Sequence, residues 1–178
     1  MDDFTLVSEC AKGNARAQRA LFDKFAPKML TVCLRYAKDT TEAEDVLQEG
    51  FVKVFGKLSD FKMEGSLEGW IRRIMVNTSL DSIRKNKKYL TDAKLEDVDY
   101  KVMSLESASD QLQAEDLLKL VQLLPEGYKV VFNLFAIEGY SHKEIADLLG
   151  VSENTSKSQY SRARAHLRMQ LEKLEIER

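Results

Sequence analysis

At 178 residues, 44% hydrophobic and 31% charged, the chain is long enough for one domain or two small ones and is neither fibrous nor compositionally disordered. Eight glycines, two prolines and long stretches of three-to-four-residue apolar spacing predict an all-α protein, with no run that alternates as a strand would. A formal net charge of −2 excludes a protein that holds nucleic acid through bulk positive charge alone, because that mode displaces counterions from phosphates with lysine and arginine.

A short helix is predicted from Asp3 to Lys12, and Asn14 then caps a long helix reaching Tyr36, with a kink expected at Pro27. Cys10 and Cys33 fall on apolar faces of these helices, away from any second cysteine or histidine, and are read as core thiols. Neither a disulfide nor a zinc site is expected. With no signal peptide and no apolar run of spanning length, the expected location is a reducing cytoplasm.

Thr41 with Glu44 is expected to start the third helix, which turns Val46, Leu47, Phe51, Val54, Phe55 and Leu58 inward and Asp45, Gln48, Glu49 and Lys53 outward. Gly50 sits in mid-helix, where glycine costs about 1 kcal/mol against alanine. It therefore permits the close approach of another element, from this molecule or from a partner. After a loop over Ser59–Ser66, a helix from Leu67 to Asn86 carries the single tryptophan, Trp70, with Ile71, Ile74, Met75, Thr78 and Ile83. Arg73, Asn77, Asp81 and Arg84 form a polar stripe on the opposite side. Arg72, Arg73, Arg84, Lys85, Lys87 and Lys88 make one basic block, and an acidic tract from Asp92 to Asp116 follows it.

The predicted organisation is a first domain over 1–88, a flexible linker over 89–109 and a second domain over 110–178. The second holds an apolar segment from Leu112 to Leu124, a break at Pro125, a helix with Val130, Val131, Leu134, Phe135 and Ile137, and then a helical pair. Ser141 with Glu144 forms a capping box, Ile145, Leu148 and Leu149 make an apolar face, and Gly150 supplies the left-handed stop. Val151 plugs the corner and Ser152 caps the last helix. That helix carries Lys157, Ser158, Ser161 and Arg162 on one face, while Tyr160, Ala163 and Leu167 turn inward. This is a helix-turn-helix, whose second helix enters the major groove of duplex DNA. A capped hairpin in a bundle that binds nothing shares the turn but has no use for a basic, small-residue face opposite an apolar one.

Taken together, the two domains resemble a bacterial RNA polymerase sigma factor of the extracytoplasmic-function (ECF) class, in the sigma-70 family. The segments that carry the resemblance run from Ala43 to Phe55, from Trp70 to Lys85, over Leu124-Pro-Glu, and through the helix-turn-helix to Ser161-Arg-Ala-Arg164. The resemblance implies that the protein binds core RNA polymerase and directs initiation at promoters by recognising minus-ten and minus-thirty-five elements. Asp45, Gln48, Glu49 and Phe51 are then the polymerase contacts. Phe61, Lys62, Met63, Arg72, Arg73, Asn77, Arg84 and Lys85 are the minus-ten residues, with Asn77 and the loop capturing a flipped base. For Phe61, plain core packing stands equally beside that role. Lys157, Ser158, Gln159, Ser161 and Arg162 are the minus-thirty-five residues. Here Ser156 replaces a usual valine and Gln159 a usual arginine, and Gln159 has the chemistry either to read adenine or to meet phosphate or solvent.

The class also implies an anti-sigma partner, often anchored in the membrane. No cofactor, metal or enzymatic activity is expected, and His142 and His166 are read as surface residues. The alternative is a stand-alone helix-turn-helix regulator, which would need a dimerisation seam and enough positive charge to bind DNA unaided. A helical scaffold leaves two separate basic faces unexplained.

Overall fold

The computed structural model describes residues 2–85 and 114–176, all helical or turn, in two units lying within residues 1–86 and 87–178. The expected linker, with Lys87 and Lys88 before it, falls outside the described residues.

In the first unit, α1 (Asp3–Ala11) is capped by Asp2, whose carboxylate accepts from the Thr5 N–H at 2.8 Å. Asn14 caps α2 (Ala15–Tyr36), which continues through Pro27. The third helix, α3, spans Thr40–Lys57 and starts earlier than Thr41 and Glu44 would place it. Asp39 accepts from the Glu42 N–H at 2.8 Å, and the Glu42 carboxylate accepts from the Lys38 N–H at 2.7 Å. This reciprocal pair satisfies two backbone N–H groups at the helix start, and Ala43 is fully buried in the first turn that follows. A 3-10 turn (Leu58–Asp60) and a loop lead to α4 (Leu67–Lys85). α2, α3 and α4 pack on one another over Leu21, Met29, Val54, Ile71, Met75 and Leu80, all at most 1% exposed. Cys10 and Cys33 are buried free thiols, and burial pushes Cys33 up to about 11 while the Ser79 hydroxyl pulls the other way.

Gly50 has its cause inside this core. A Cβ at this position would lie 2.3 Å from the Met75 Sδ, so the absent side chain lets α4 pack directly on the α3 backbone.

The second unit contains α5 (Ala114–Gln122), α6 (Glu126–Phe132) running into a π turn (Asn133–Ile137), α7 (His142–Leu149) and α8 (Glu153–Ile176). The π turn departs from the plain helix expected there. The Glu138 N–H reaches back to the Asn133 carbonyl, while the buried Asn133 amide donates to the Lys129 carbonyl at 2.9 Å and adds a second claim on that acceptor. Leu120, Val121 and Leu124 from α5 and its end pack on Ala163, Leu167 and Leu171 of α8.

Candidate nucleic-acid interface

A helix expected to meet a partner must leave part of its surface uncovered, and α4 leaves little. Its exposed residues are Gly69, Arg73, Asn77, Arg84 and Lys85; the rest are buried or half-buried, including Arg72. The stripe 69–73–77 follows the four-residue ridge of the helix, and Arg84 lies seven residues after Asn77 on the same side. Opposite it, Ile71 and Met75 anchor the helix in the core, and Val76 and Leu80 are buried beside the stripe.

The loop before α4 ends where the Ser66 hydroxyl accepts from the Gly69 N–H at 3.2 Å. Phe61, expected as a shelf for an unstacked base, is only 8% exposed, with its ring 5.2 Å from that of Trp70. It is a core residue whose face is taken by the indole, so the shelf role is withdrawn. Lys62 and Met63 are exposed, and Met63 holds a left-handed φ of +59°, uncommon for a residue with a Cβ. The loop meets α4 at Trp70, and Asn77 is seven residues further, about 10 Å along the axis.

Charges on α3 and α4 are cross-linked. Glu49 pairs with Lys53 at 3.2 Å and Lys85 at 3.7 Å; Asp81 pairs with Lys53 at 3.3 Å and Arg84 at 3.1 Å. One expected polymerase contact therefore holds one expected DNA contact. Asp45, one turn before Glu49, and the adjacent Gln48 are exposed, whereas Phe51 is 2% exposed with its ring 4.7 Å from Phe22. Phe51 belongs to the core face of α3 by its spacing from Leu47 and Val54, and the expectation of a polymerase contact is corrected accordingly.

In the second unit both halves of the Ser141–Glu144 capping box form, at 3.2 and 2.7 Å, and Gly150 takes φ +67° to end α7. Ser152 accepts from the Thr155 N–H at 3.0 Å and so caps α8. Lys157, Ser158 and Ser161 are exposed and Arg162 is half-buried. Lys157 pairs with Glu153 at 3.2 Å, and the Ser158 hydroxyl donates to the Thr155 carbonyl at 3.0 Å.

Two residues lie elsewhere than expected. Gln159 is 5% exposed, its side chain set against Gly127, where a Cβ would come within 3.3 Å of Oε1. It is one turn before the buried Ala163 on the same ridge, turned away from the exposed Lys157, Ser158 and Ser161. His142, expected at the surface, is half-buried and stacks on Phe135 with ring centroids 4.2 Å apart. Its Nδ1 lies 2.9 Å from the hydroxyl of the fully buried Ser156. Burial, and then the Lys157 charge, hold His142 below its usual range against an opposing pull from Glu153. His166 is likewise half-buried, with its Nδ1 enclosed.

Ser156 thus joins the two helices of the turn by a polar link where a valine would join them by packing. The Phe135 and Tyr160 rings, 4.5 Å apart, complete this support. Sequence reasoning missed the His142–Ser156 pair because its partners are fourteen residues apart on different helices.

Comparison with known proteins gives both units a match. The family described as Sigma-70 region 2 matches residues 21–89, and Sigma-70, region 4 matches residues 114–167, together more than half of the chain. The RNA polymerase sigma factor SigZ of Bacillus subtilis (strain 168) is 31% identical, with 85% of each chain covered. This chain is an ECF sigma factor of the sigma-70 family. The ECF RNA polymerase sigma factor SigW of the same organism is 28% identical over 94% of this chain and 96% of its own. Among solved structures, the sigma factor RpoE of Bartonella quintana, in complex with the anti-sigma factor NepR, has the same fold with a TM-score of 0.52 and 22% identity, covering 87% of this chain and 96% of that one. This sigma factor directs transcription initiation, and the reading as a stand-alone regulator is not favoured. No helix among its described residues is long and apolar enough to cross a membrane.

Proposed function

We propose that this sigma factor divides promoter recognition between its units, with α3 docking on core RNA polymerase, α4 and its preceding loop engaging the separated minus-ten strand, and α8 reading the minus-thirty-five duplex. The domains then run over 1–88 and 110–178, joined by a linker over 89–109. The observation that carries the reading is the narrow exposed stripe of α4: an arginine and an asparagine, continuing to Arg84 and Lys85, on a helix otherwise enclosed by its own core. A rigid polar edge of this kind suits an unstacked base and its phosphates, because it presents hydrogen-bonding groups without reorganising.

Asp45, Gln48 and Glu49 supply the polymerase contact, an acidic helix face suited to a basic partner surface. Lys62, Met63, Arg72, Arg73, Asn77, Arg84 and Lys85 face the minus-ten strand. Lys157, Ser158, Ser161 and Arg162 face the upstream duplex. Catalysis belongs to the polymerase, the protein works in the cytoplasm, and an anti-sigma factor holds it in reserve; the Bartonella relative in complex with NepR supports that last assignment.

Neither DNA surface carries enough uncompensated charge for tight binding alone, so the test is dependence on polymerase. In mobility-shift assays at one salt concentration, the free protein should bind promoter duplex weakly and the loaded polymerase tightly. Equal affinities would favour the stand-alone regulator.

A further inference from the structure

Among the residues assigned above to the upstream duplex, Arg162 alone has a planar donor fork, which matches guanine, and none is set to read adenine. Lys157 is drawn to Glu153, Ser158 bonds its own backbone, and both offer single groups rather than a planar donor–acceptor pair. Gln159, the one side chain among the expected contacts with such a pair, is enclosed against Gly127.

The same face carries another carboxamide. Asn154 is exposed in the first turn of α8, and it stands three, four and seven residues before Lys157, Ser158 and Ser161. At about 100° per residue these four share one side of the helix, while Gln159 lies about 140° away from Asn154. The local structure holds Asn154 at this place: Ser152 caps the helix through the Thr155 N–H, and the Thr155 hydroxyl lies 2.8 Å from the Ser152 hydroxyl. Among the described residues, the Asn154 carboxamide makes no hydrogen bond. Helix-turn-helix proteins contact base edges with the N-terminal residues of the second helix, and an asparagine there matches adenine, accepting from its N6 amino group and donating to its N7.

We infer that Asn154 is a specificity-determining residue of this sigma factor, reading an adenine in the upstream promoter duplex, and that Gln159 has no part in base choice. The inference rests on the proposed reading of that duplex by α8 and adds the residue and the base. Asn154 sets preference at a single base pair, with Lys157 and Arg162 supplying charge beside it. A bidentate contact of this kind gives about tenfold discrimination or more.

The test uses polymerase loaded with the full chain to select from a duplex library randomised across the upstream element. It compares wild type with Asn154→Ala, Asn154→Asp and Gln159→Ala, each checked for helicity by circular dichroism. Wild type should select adenine at one position. Asn154→Ala should lose about tenfold of that preference with the other positions unchanged, and Asn154→Asp should move it to cytosine, whose N4 amino group a carboxylate accepts. Gln159→Ala should keep the wild-type pattern. Identical preferences in wild type and Asn154→Ala would overturn the assignment, as would loss of a base other than adenine. If wild-type loaded polymerase enriched no upstream sequence at all, the proposed reading of the duplex would itself fall.

Discussion

The exposed edge of α4 and the exposed face of α8 are both assigned to promoter DNA, yet they hold their polar groups differently. On α4 the cations at the C-terminal end are tied to Glu49 and Asp81, across to α3 as well as along the helix, and the asparagine stands clear of them. On α8 the exposed face is composed of short neutral side chains with one lysine held by a carboxylate four residues away, and the half-buried Arg162 stands at its edge. The first arrangement couples strand contacts to the helix that meets polymerase. The second leaves hydrogen-bonding groups to read edges and relies on the rest of the assembly for affinity. A sigma factor of net charge −2 can work this way because neither surface has to capture DNA by itself.

The strongest way to break this comparison is to spoil the seam between α3 and α4 and leave α8 intact. Gly50→Leu forces side-chain atoms into the space filled by Met75, which is fully buried, and should cost the first unit about 2–3 kcal/mol by overpacking. Trp70, the single tryptophan, reports on that unit, so its fluorescence transition in urea should shift to lower denaturant. Polymerase loading should fall with it. An unmoved Trp70 transition would mean that α3 and α4 do not depend on this close approach.

The second unit can be probed through pH. His142 is held neutral in the fold, chiefly by burial, while in the unfolded chain it takes up a proton near its ordinary value of 6.5. The unfolded chain therefore binds more protons as pH falls below that value, and the second unit should lose stability until pH passes the lower folded value. Above the ordinary value the contribution is fully present. His142→Phe keeps a ring against Phe135 but should remove this part of the slope, as measured by denaturation at pH 7.5, 6.5 and 5.5. A slope identical to wild type would place its origin elsewhere.

The smallest effect sharpens the coupling on α3 and α4. Glu49→Gln should release Lys85 and Lys53 from one carboxylate, and exposed pairs of this kind contribute about 0–1 kcal/mol. The free protein should gain no more than about fivefold in affinity for minus-ten DNA, while capture by polymerase weakens. A gain in DNA binding with unchanged polymerase capture would detach Glu49 from the docking face.

Much of this was legible because caps and periodicity are local. Asn14, the Ser141–Glu144 box and Gly150 each act within a few residues, and their helices begin and end where those residues place them. The start of α3 was not fixed in this way, since Asp39 and Thr41 both suit a cap and Asp39 is the one that pairs with Glu42 three residues on. Phe51 and Gln159 show a different failure. Each lies on the buried ridge of its own helix by spacing, next to Leu47 or Ala163, and a family correspondence drew both outward against that spacing. The i, i+3, i+4, i+7 relation of Asn154 to Lys157, Ser158 and Ser161 is legible in the sequence, whereas its exposure is not. The His142–Ser156 link and the tilted Phe61–Trp70 ring contact are tertiary, and no local pattern announces them.

The division of labour between the two surfaces is tested most directly at Asn77, which is exposed, so Asn77→Ala should leave the core and its stability nearly unchanged. Permanganate footprinting of the loaded variant on a linear promoter and on a pre-melted template separates duplex binding from strand capture. The variant should still occupy the closed upstream duplex, show reduced opening on the linear template, and recover only in part on the pre-melted one, because opening is supplied there but the base contact is not. Wild-type opening on the linear promoter would contradict the account and leave the exposed edge of α4 without a role in capturing the strand.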